Sequence, residues 1–314
     1  MQFPFRIASD RGSSFVALAP DGSERSLIVS PSVARPAAGD YVDADADGRI
    51  TAVAPRRGVL ARARTDRGNA AQIVGVHLDV LFIVTSPGRD FSPPRVERYL
   101  VAARAGGIAP VVVLNKCDLA DDLAALVTEL VIVAGAAPVH AVSAARGDGC
   151  DALLVHVRAG KTIALVGSSG VGKSTLANRL LGDERMATGA TRASDGRGIH
   201  TTTRRELITL PSGAWLLDTP GMRAFAPWAH ADALDDAFAD VAEAARRCRF
   251  RDCAHGPEPG CAIKAEIDPS RLARWRALRA EIAYLERRDD PVMLAAERAK
   301  WKAIHKANRG RDKP

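Results

Sequence analysis

One stretch limits the folds open to this chain more than any other. Gly167-Ser-Ser-Gly-Val-Gly-Lys-Ser174 lies between an apolar run, Ile163-Ala-Leu-Val, and a helix-like segment, Thr175 to Leu181. Its glycines let the backbone curl so that successive N–H groups point at one centre, where phosphates sit. The helix that follows adds the partial positive charge of its N-terminus. A strand, phosphate loop and helix in that order imply an α/β unit with a mostly parallel sheet. In such a loop Gly167, Ser168, Ser169, Gly170, Val171, Gly172 and Thr175 are expected to surround the phosphates. Lys173 would bridge phosphate oxygens and Ser174 would ligate Mg²⁺.

The chain around this loop supports the same layer. Val80-Leu-Phe-Ile-Val, Val111-Val-Val-Leu, Ile163-Ala-Leu-Val and Trp215-Leu-Leu are continuous apolar runs alternating with helix-like segments. Such runs fit strands buried on both faces and joined by crossover helices. Ligands in open α/β sheets sit at the carboxyl ends of strands, where the motifs of this chain fall. Residues before about 70 read differently. Short runs such as Phe15-Val-Ala-Leu, Leu27-Ile-Val and Ile50-Thr-Ala-Val are broken by Pro20-Asp-Gly, Ser30-Pro and Asp47-Gly, which suggests a small β-barrel or sandwich. From about residue 233 the pattern is helix, cysteine-bearing loop, helix and basic tail. Leu272, Trp275, Leu278, Ile282 and Leu285 form an amphipathic stripe there, expected to pack in a core. The expectation is three units, 1–70, 71–232 and 233–314, which a chain of 314 residues can accommodate.

Two further motifs specify the nucleotide. Asp218-Thr-Pro-Gly221 follows Trp215-Leu-Leu; Asp218 is expected on Mg²⁺, and the Gly221 N–H on the γ-phosphate. Asn115-Lys-Cys-Asp118 follows Val111-Val-Val-Leu. The Asp118 carboxylate can accept hydrogen bonds from the ring N–H and exocyclic amine of guanine. Adenine would leave it unpaired, which discriminates strongly. Asn115 would orient the loop, the Lys116 stem would cover the base face, and Cys117 lies between them. Ser143-Ala144 offers a backbone N–H to the guanine oxygen. Together these predict GTP and GDP as ligands and GTP hydrolysis as the reaction. The base motifs precede the phosphate loop, the reverse of the ordinary order, so the domain reads as circularly permuted. The switch aspartate then runs straight into the C-terminal unit, which is expected to move when the γ-phosphate is lost.

The switch region carries open choices. Gly198-Ile-His-Thr-Thr-Thr203 offers three threonines to close the Mg²⁺ shell, with Thr202 and Thr201 the leading candidates. Met222 follows Gly221 where a glutamine could orient the attacking water, so slow intrinsic hydrolysis and dependence on a partner are expected. His200 and His230 are candidate substitutes, against the plainer reading of both as loop histidines.

Of five cysteines, three cluster with a histidine: Cys248, Cys253, His255 and Cys261. Three thiolates and an imidazole within fourteen residues suit a closed, structural Zn²⁺ site, and Gly256-Pro-Glu-Pro-Gly supplies the reversal. A redox pair would want a Cys-x-x-Cys spacing, which is absent. Cys117 and Cys150 stand outside the cluster. The net charge of +7 and the lysines and arginines after Arg298 suit a nucleic-acid partner, though genomic base composition also enriches arginine. No apolar run approaches roughly 18 residues, and the start, Met1-Gln-Phe-Pro-Phe-Arg, lacks a signal-peptide layout. A cytoplasmic monomer without membrane contact is the expectation.

Taken together, the chain resembles the RsgA family of circularly permuted GTPases. The resemblance rests on the motif order, on Gly196-Arg-Gly-Ile-His-Thr-Thr-Thr203, and on Cys-Arg-Phe-Arg-Asp-Cys-Ala-His255 followed by Glu258-Pro-Gly-Cys-Ala-Ile. Val96-Glu-Arg-Tyr-Leu is similar to the family's wording as well. It implies an N-terminal OB-fold barrel binding RNA, a permuted GTPase domain and a C-terminal zinc domain. It also implies contacts with the small ribosomal subunit and its rRNA during late maturation, with hydrolysis stimulated by the subunit. Two positions depart from the family: Ile199 stands where a basic residue is usual, and Trp228-Ala-His230 is offset by one residue. Two rival readings are an RNA-binding assembly protein that keeps GTP as a structural ligand, and a phosphate-loop enzyme acting on a metabolite.

Overall fold

A computed structural model describes residues 3–63, 71–182, 206–218, 229, 231–256 and 258–289. Its first five strands are β1 (Phe5–Asp10), β2 (Phe15–Leu18), β3 (Glu24–Val29), β4 (Tyr41–Ala44) and β5 (Arg49–Val53). Alternate residues on these strands point inward, so Ile7, Phe15, Ala17, Leu27, Val42 and Ile50 form one sealed core. The barrel closes because β1 pairs with both β2 and β4, while β3 pairs with β2 and, in parallel, with β5. Closure removes the exposed edges an open five-stranded sheet would carry.

The rest of the chain builds a hairpin, a large sheet and its helices. The hairpin is β6 (Leu60–Ala63) with β7 (Ala71–Gly75). There follow β8 (Val80–Thr85), α1 (Pro93–Ala105), β9 (Ala109–Leu114), α2 (Leu123–Ala134), β10 (Val139–Ala141), β11 (Thr162–Val166) and α3 (Lys173–Leu181). Then come β12 (Glu206–Thr209), β13 (Trp215–Asp218), α4 (Ala231–Ala237), α5 (Ala239–Ala245), α6 (Ala262–Glu266) and α7 (Pro269–Asp289). Across the sheet the order is β10-β9-β8-β11-β13-β12, parallel except for β12. The strand that feeds the phosphate loop, β11, therefore sits between β8 and β13, although more than thirty residues of sequence separate it from each. The pairing Ser9↔Glu206 joins β12 to β1, so the barrel and the large sheet are hydrogen-bonded into one surface.

The apolar runs are continuous because both faces of their strands are covered. Along β8, Leu81 and Ile83 face one core with Tyr99, Leu100 and Leu130, while Val80, Phe82 and Val84 face another with Leu153, Leu176 and Leu180. The same alternation separates Val112 and Leu114 from Val111 and Val113, and Ala164 and Val166 from Ile163 and Leu165. Each fully buried large apolar side chain contributes about 1.5–3 kcal/mol, which makes β8 the spine of the domain.

The C-terminal helices complete the first of these cores. Leu272, Trp275, Leu278 and Ile282 are all buried, with Phe238 and Val241, against α1. Four of the five residues of the stripe read from the sequence are core; Leu285 is only half-buried and lies outside it. Ion pairs reinforce the seam. The Glu97 carboxylate on α1, fully buried, accepts from Arg271 at 2.9 Å and from Arg274 at 2.8 Å, both on α7. Arg271 also donates to Asp240, at 2.5 and 2.8 Å. Among the described residues, no helix is long and apolar enough to cross a membrane.

Candidate functional site

The phosphate loop leaves β11 at Gly167, whose φ is +141°. A side chain there would place Cβ 2.1 Å from the Val84 carbonyl oxygen, so only glycine lets the loop lie this close to β8. Gly172, with φ +91°, is excluded from substitution differently: a Cβ would meet the Asn115 Nδ2 at 2.3 Å. These two contacts bring the phosphate loop against the end of the adjacent strand β8 and against the loop that leaves β9, one strand further on. Ser169 and Gly170 are exposed, Val171 is buried beneath them, and α3 begins at Lys173 with Ser174 and Thr175 in its first turn. The Lys173 ammonium donates to the carbonyls of Gly167 and Ser168, at 3.0 and 2.5 Å.

Asn115 joins the three loops. Its amide donates from Nδ2 to the Val171 carbonyl at 2.8 Å, and its Oδ1 accepts from the Ala144 N–H at 2.9 Å. Its own backbone N–H donates to Thr85 at the end of β8, at 2.9 Å. The residue is 1 % exposed, so all of these bonds are shielded from water. Lys116 takes a left-handed conformation, φ +60°, which turns the chain into the short 3₁₀ turn Cys117–Leu119. Asp118 is exposed on that turn, where its carboxylate can accept from an incoming base. Burial first, and then Asp118 and Asp148, push the Cys117 thiol up, so it is no ready nucleophile. Ser143 and Ala144 are buried on the next loop, and the Ser143 hydroxyl accepts from the Arg146 N–H at 3.3 Å.

Asp218 ends β13, one residue beyond the register pair Ala164↔Leu217 that ties this strand to β11. It stands at the same carboxyl edge of the sheet as Gly167. Thr201, Thr202, Thr203, His200, Ile199, Gly221, Met222, Trp228, His230 and the tail from Arg298 lie outside the described residues.

Two arginines complete the loops in a way the motifs did not reveal. Arg95, in the first turn of α1, donates to the Ser168 hydroxyl. Arg179, in α3, donates to the carbonyls of Ala144 and Ala145, both at 3.2 Å. The partners lie 73 and about 35 residues away, and no local pattern marks them. Only the knowledge that β8, β9 and β11 are neighbours would have pointed there.

The second candidate site lies among the C-terminal helices. The Sγ atoms of Cys248, Cys253 and Cys261 and a ring nitrogen of His255 all fall within 4.8 Å of one another. His255 Nδ1 is 3.6 Å from Cys248 Sγ and 3.8 Å from Cys261 Sγ. A tetrahedral zinc with ordinary bond lengths would set each S–N edge at about 3.5 Å, so the donor set fits. His255 takes φ +60° to turn its ring inward, and Arg276 donates to its carbonyl. Burial pushes the Cys248 thiol up, but the N–H groups of Ile263 and Ala262 together with bonds from Cys253 and Cys261 hold it below its ordinary range, while Cys253 is pushed up in turn. At Cys248 this favours the thiolate a metal needs. Pro257, within the reversal, lies outside the described residues.

Comparison with known proteins agrees with this geometry. A family profile described as RsgA GTPase matches residues 53–228. A second, described as a 50S ribosome-binding GTPase, matches residues 162–295 and so begins at β11. The small ribosomal subunit biogenesis GTPase RsgA of Opitutus terrae is 46 % identical over 272 residues, covering 85 % of this chain and 74 % of that protein. The RsgA 2 protein of Listeria monocytogenes is 39 % identical over 283 residues, covering 88 % and 81 %. Among solved structures, YjeQ from Thermotoga maritima superposes with a TM-score of 0.63 at 24 % identity, covering 89 % of this chain and 98 % of that one. YloQ, described as a circularly permuted GTPase, superposes with a TM-score of 0.60 at 22 % identity, covering 89 % and 94 %. Those two likenesses speak for the fold alone. With base loops that precede the phosphate loop in sequence yet meet it on Asn115, the chain is a circularly permuted GTP hydrolase and belongs to the RsgA GTPase family.

Proposed function

We propose that this chain is a biogenesis GTPase of the small ribosomal subunit, bound to the subunit with GTP and released after hydrolysis. The observation that carries the reading is the Asn115 side chain, which holds the phosphate loop and the Ser143–Ala144 loop on either side of the Asp118 turn. Asp118 selects guanine by accepting from its ring N–H and amine, and Lys116 and Cys117 line the base. The N–H groups of Ser143 and Ala144 bond to Asp148 and Asn115 in this structure, so Ala144 would have to share or release its bond to donate to the guanine oxygen. Gly167 to Thr175 receive the phosphates. Lys173 exchanges the Gly167 and Ser168 carbonyls for phosphate oxygens, and Gly221 contacts the γ-phosphate. Ser174 and Asp218, with Thr201 or Thr202, would hold Mg²⁺, which neutralises charge developing on the phosphate oxygens.

The further parts of the proposal concern partners. Cys248, Cys253, His255 and Cys261 would hold one structural Zn²⁺. The chain contacts rRNA, its hydrolysis is stimulated by the subunit, and it works in the cytoplasm as a monomer. The units are 1–70, 71–232 and 233–314, the first a barrel that binds RNA. The Opitutus and Listeria relatives, both small ribosomal subunit biogenesis GTPases by name, support the subunit reading.

Hydrolysis of GTP by the purified chain, with and without small ribosomal subunits and with ATP as control, tests this. Stimulation of about tenfold or more, confined to GTP, is the expected outcome, since a completed transition-state shell is worth far more than that. Tight GTP binding with no response to subunits would remove the ribosomal reading and leave the nucleotide site in place.

A further inference from the structure

Away from the nucleotide loops, the amino ends of β8, β9 and β11 open onto a cleft of about 480 Å³. Arg57, from the segment linking β5 to β6, forms one wall, and His156, Arg158 and Lys161 form another. Lys161 pairs with Asp79 at 2.9 Å, and Asp79 also accepts from the Thr162 N–H. Among the described residues, no carboxylate pairs with Arg57 or Arg158, and both side chains are exposed. The cleft thus carries a surplus of positive charge that its own walls do not neutralise. Burial first, then His140 and last Arg158, push the His156 imidazole below its ordinary range, so it adds no charge of its own near neutral pH.

The cleft is far from the phosphate loop. Lys161 and Gly167 stand at opposite ends of β11, about 20 Å apart at the usual strand rise. A small free anion would call for a closed cradle with buried donors, and here the cations stand on an open rim. Gly107 borders the cleft with φ +65° and open space where a side chain would be, so a phosphate backbone can approach the surface there. Val155, 55 % exposed on the same wall, gives an apolar shoulder for a sugar or base.

We infer that the cleft between Arg57 and Arg158 receives the backbone phosphates of an RNA strand. The inference rests on the RNA-binding reading proposed above and gives it a site at the amino edge of the GTPase sheet, beside the segment that follows the barrel. RNA and nucleotide then occupy opposite ends of the same strands, and neither competes with the other.

The test is fluorescence anisotropy of the full chain with a labelled single-stranded RNA of mixed sequence, about 16 nucleotides long. Arg57→Glu with Arg158→Glu is expected to weaken RNA binding by about tenfold or more. It should also flatten the dependence of log K on log salt by about 1.4, the value for two lost phosphate contacts to a single strand. GTP affinity and basal hydrolysis should be unchanged, which verifies the fold. Should the double reversal fail to bind GTP, Arg57→Gln with Arg158→Gln takes its place, with a smaller loss in the same direction. Inorganic phosphate should displace RNA no better than chloride at equal ionic strength. Unchanged RNA affinity in the variants, no RNA binding by the parent chain, or specific displacement by inorganic phosphate would each overturn the inference. Sedimentation with small subunits separates the two ideas. Association with subunits alongside variant-insensitive RNA binding sinks the cleft alone, and no association sinks the subunit reading.

Discussion

Asn115 is one side chain serving two loops besides its own. Its Nδ2 and Oδ1 bond to Val171 and Ala144, and burial excludes water as a substitute partner. Replacing Asn115 by alanine leaves a buried carbonyl and a buried N–H unpaired, each costing about 1–3 kcal/mol. Because Gly172 packs directly on the Asn115 amide, the phosphate loop also loses its backstop. Asn115→Ala is therefore expected to weaken GTP and GDP together by at least about tenfold, through both the base and the phosphates. Titration with fluorescent GDP measures this. A loss confined to base selectivity, with phosphate contacts intact, would show that Asn115 serves its own loop only. The role of this residue was legible in the sequence as a loop-orienting amide, since its motif is local. The bonds that perform it were not, because Val171 is 56 residues away.

At the scale of elements, α1 is the strut between the phosphate loop and the C-terminal helices. Arg95 reaches Ser168 from its first turn, and Glu97, two residues on and so turned toward another side of the helix, meets α7. The sequence showed the core stripe of α7, because a three- and four-residue spacing is visible along one helix. It could not show that Arg271 and Arg274 meet Glu97, which lies 174 and 177 residues earlier. The hairpin of β6 and β7 was hidden for a related reason: its strands are short and lack a strong alternation. Glu97→Gln keeps the shape and removes the charge opposite two arginines. Breaking a buried pair in this way costs about 3 kcal/mol or more, and the Arg271–Asp240 bonds that remain place the expected loss at the low end. Chemical denaturation should register it, with GTP affinity of the folded variant nearly unchanged. The Arg98–Glu281 pair, about one-third exposed, is expected to contribute well under 1 kcal/mol by the same measurement.

For the whole molecule, the question is how far the putting-together of the cysteine loop supports the rest. The loop fixes the start of α6, and α6 and α7 together lay Ile263, Leu272, Trp275 and Leu278 against the core that α1 shares. Without its ion a Cys₃His set takes protons back onto its thiols and loses the bonds that hold four donors within 5 Å of one another. Metal removal should then loosen the C-terminal helices first, because metal binding energy in such small units is folding energy. The nucleotide loops hang from the opposite layer: their strands are covered on the second face by α3 and the turn Cys150–His156, with Leu153, Leu176 and Leu180 in that core. They are also tied to one another through Asn115 rather than through α7. Chelation of the purified chain is accordingly expected to lower its melting temperature by several degrees and to expose Trp275 to quencher. GDP affinity measured below the new transition should fall by less than about fivefold, under 1 kcal/mol. If chelation abolished nucleotide binding at low temperature, the strut formed by α1 would be carrying far more of the phosphate loop's order than Arg95 and its single serine contact account for. The two layers would then have to be treated as one cooperative unit.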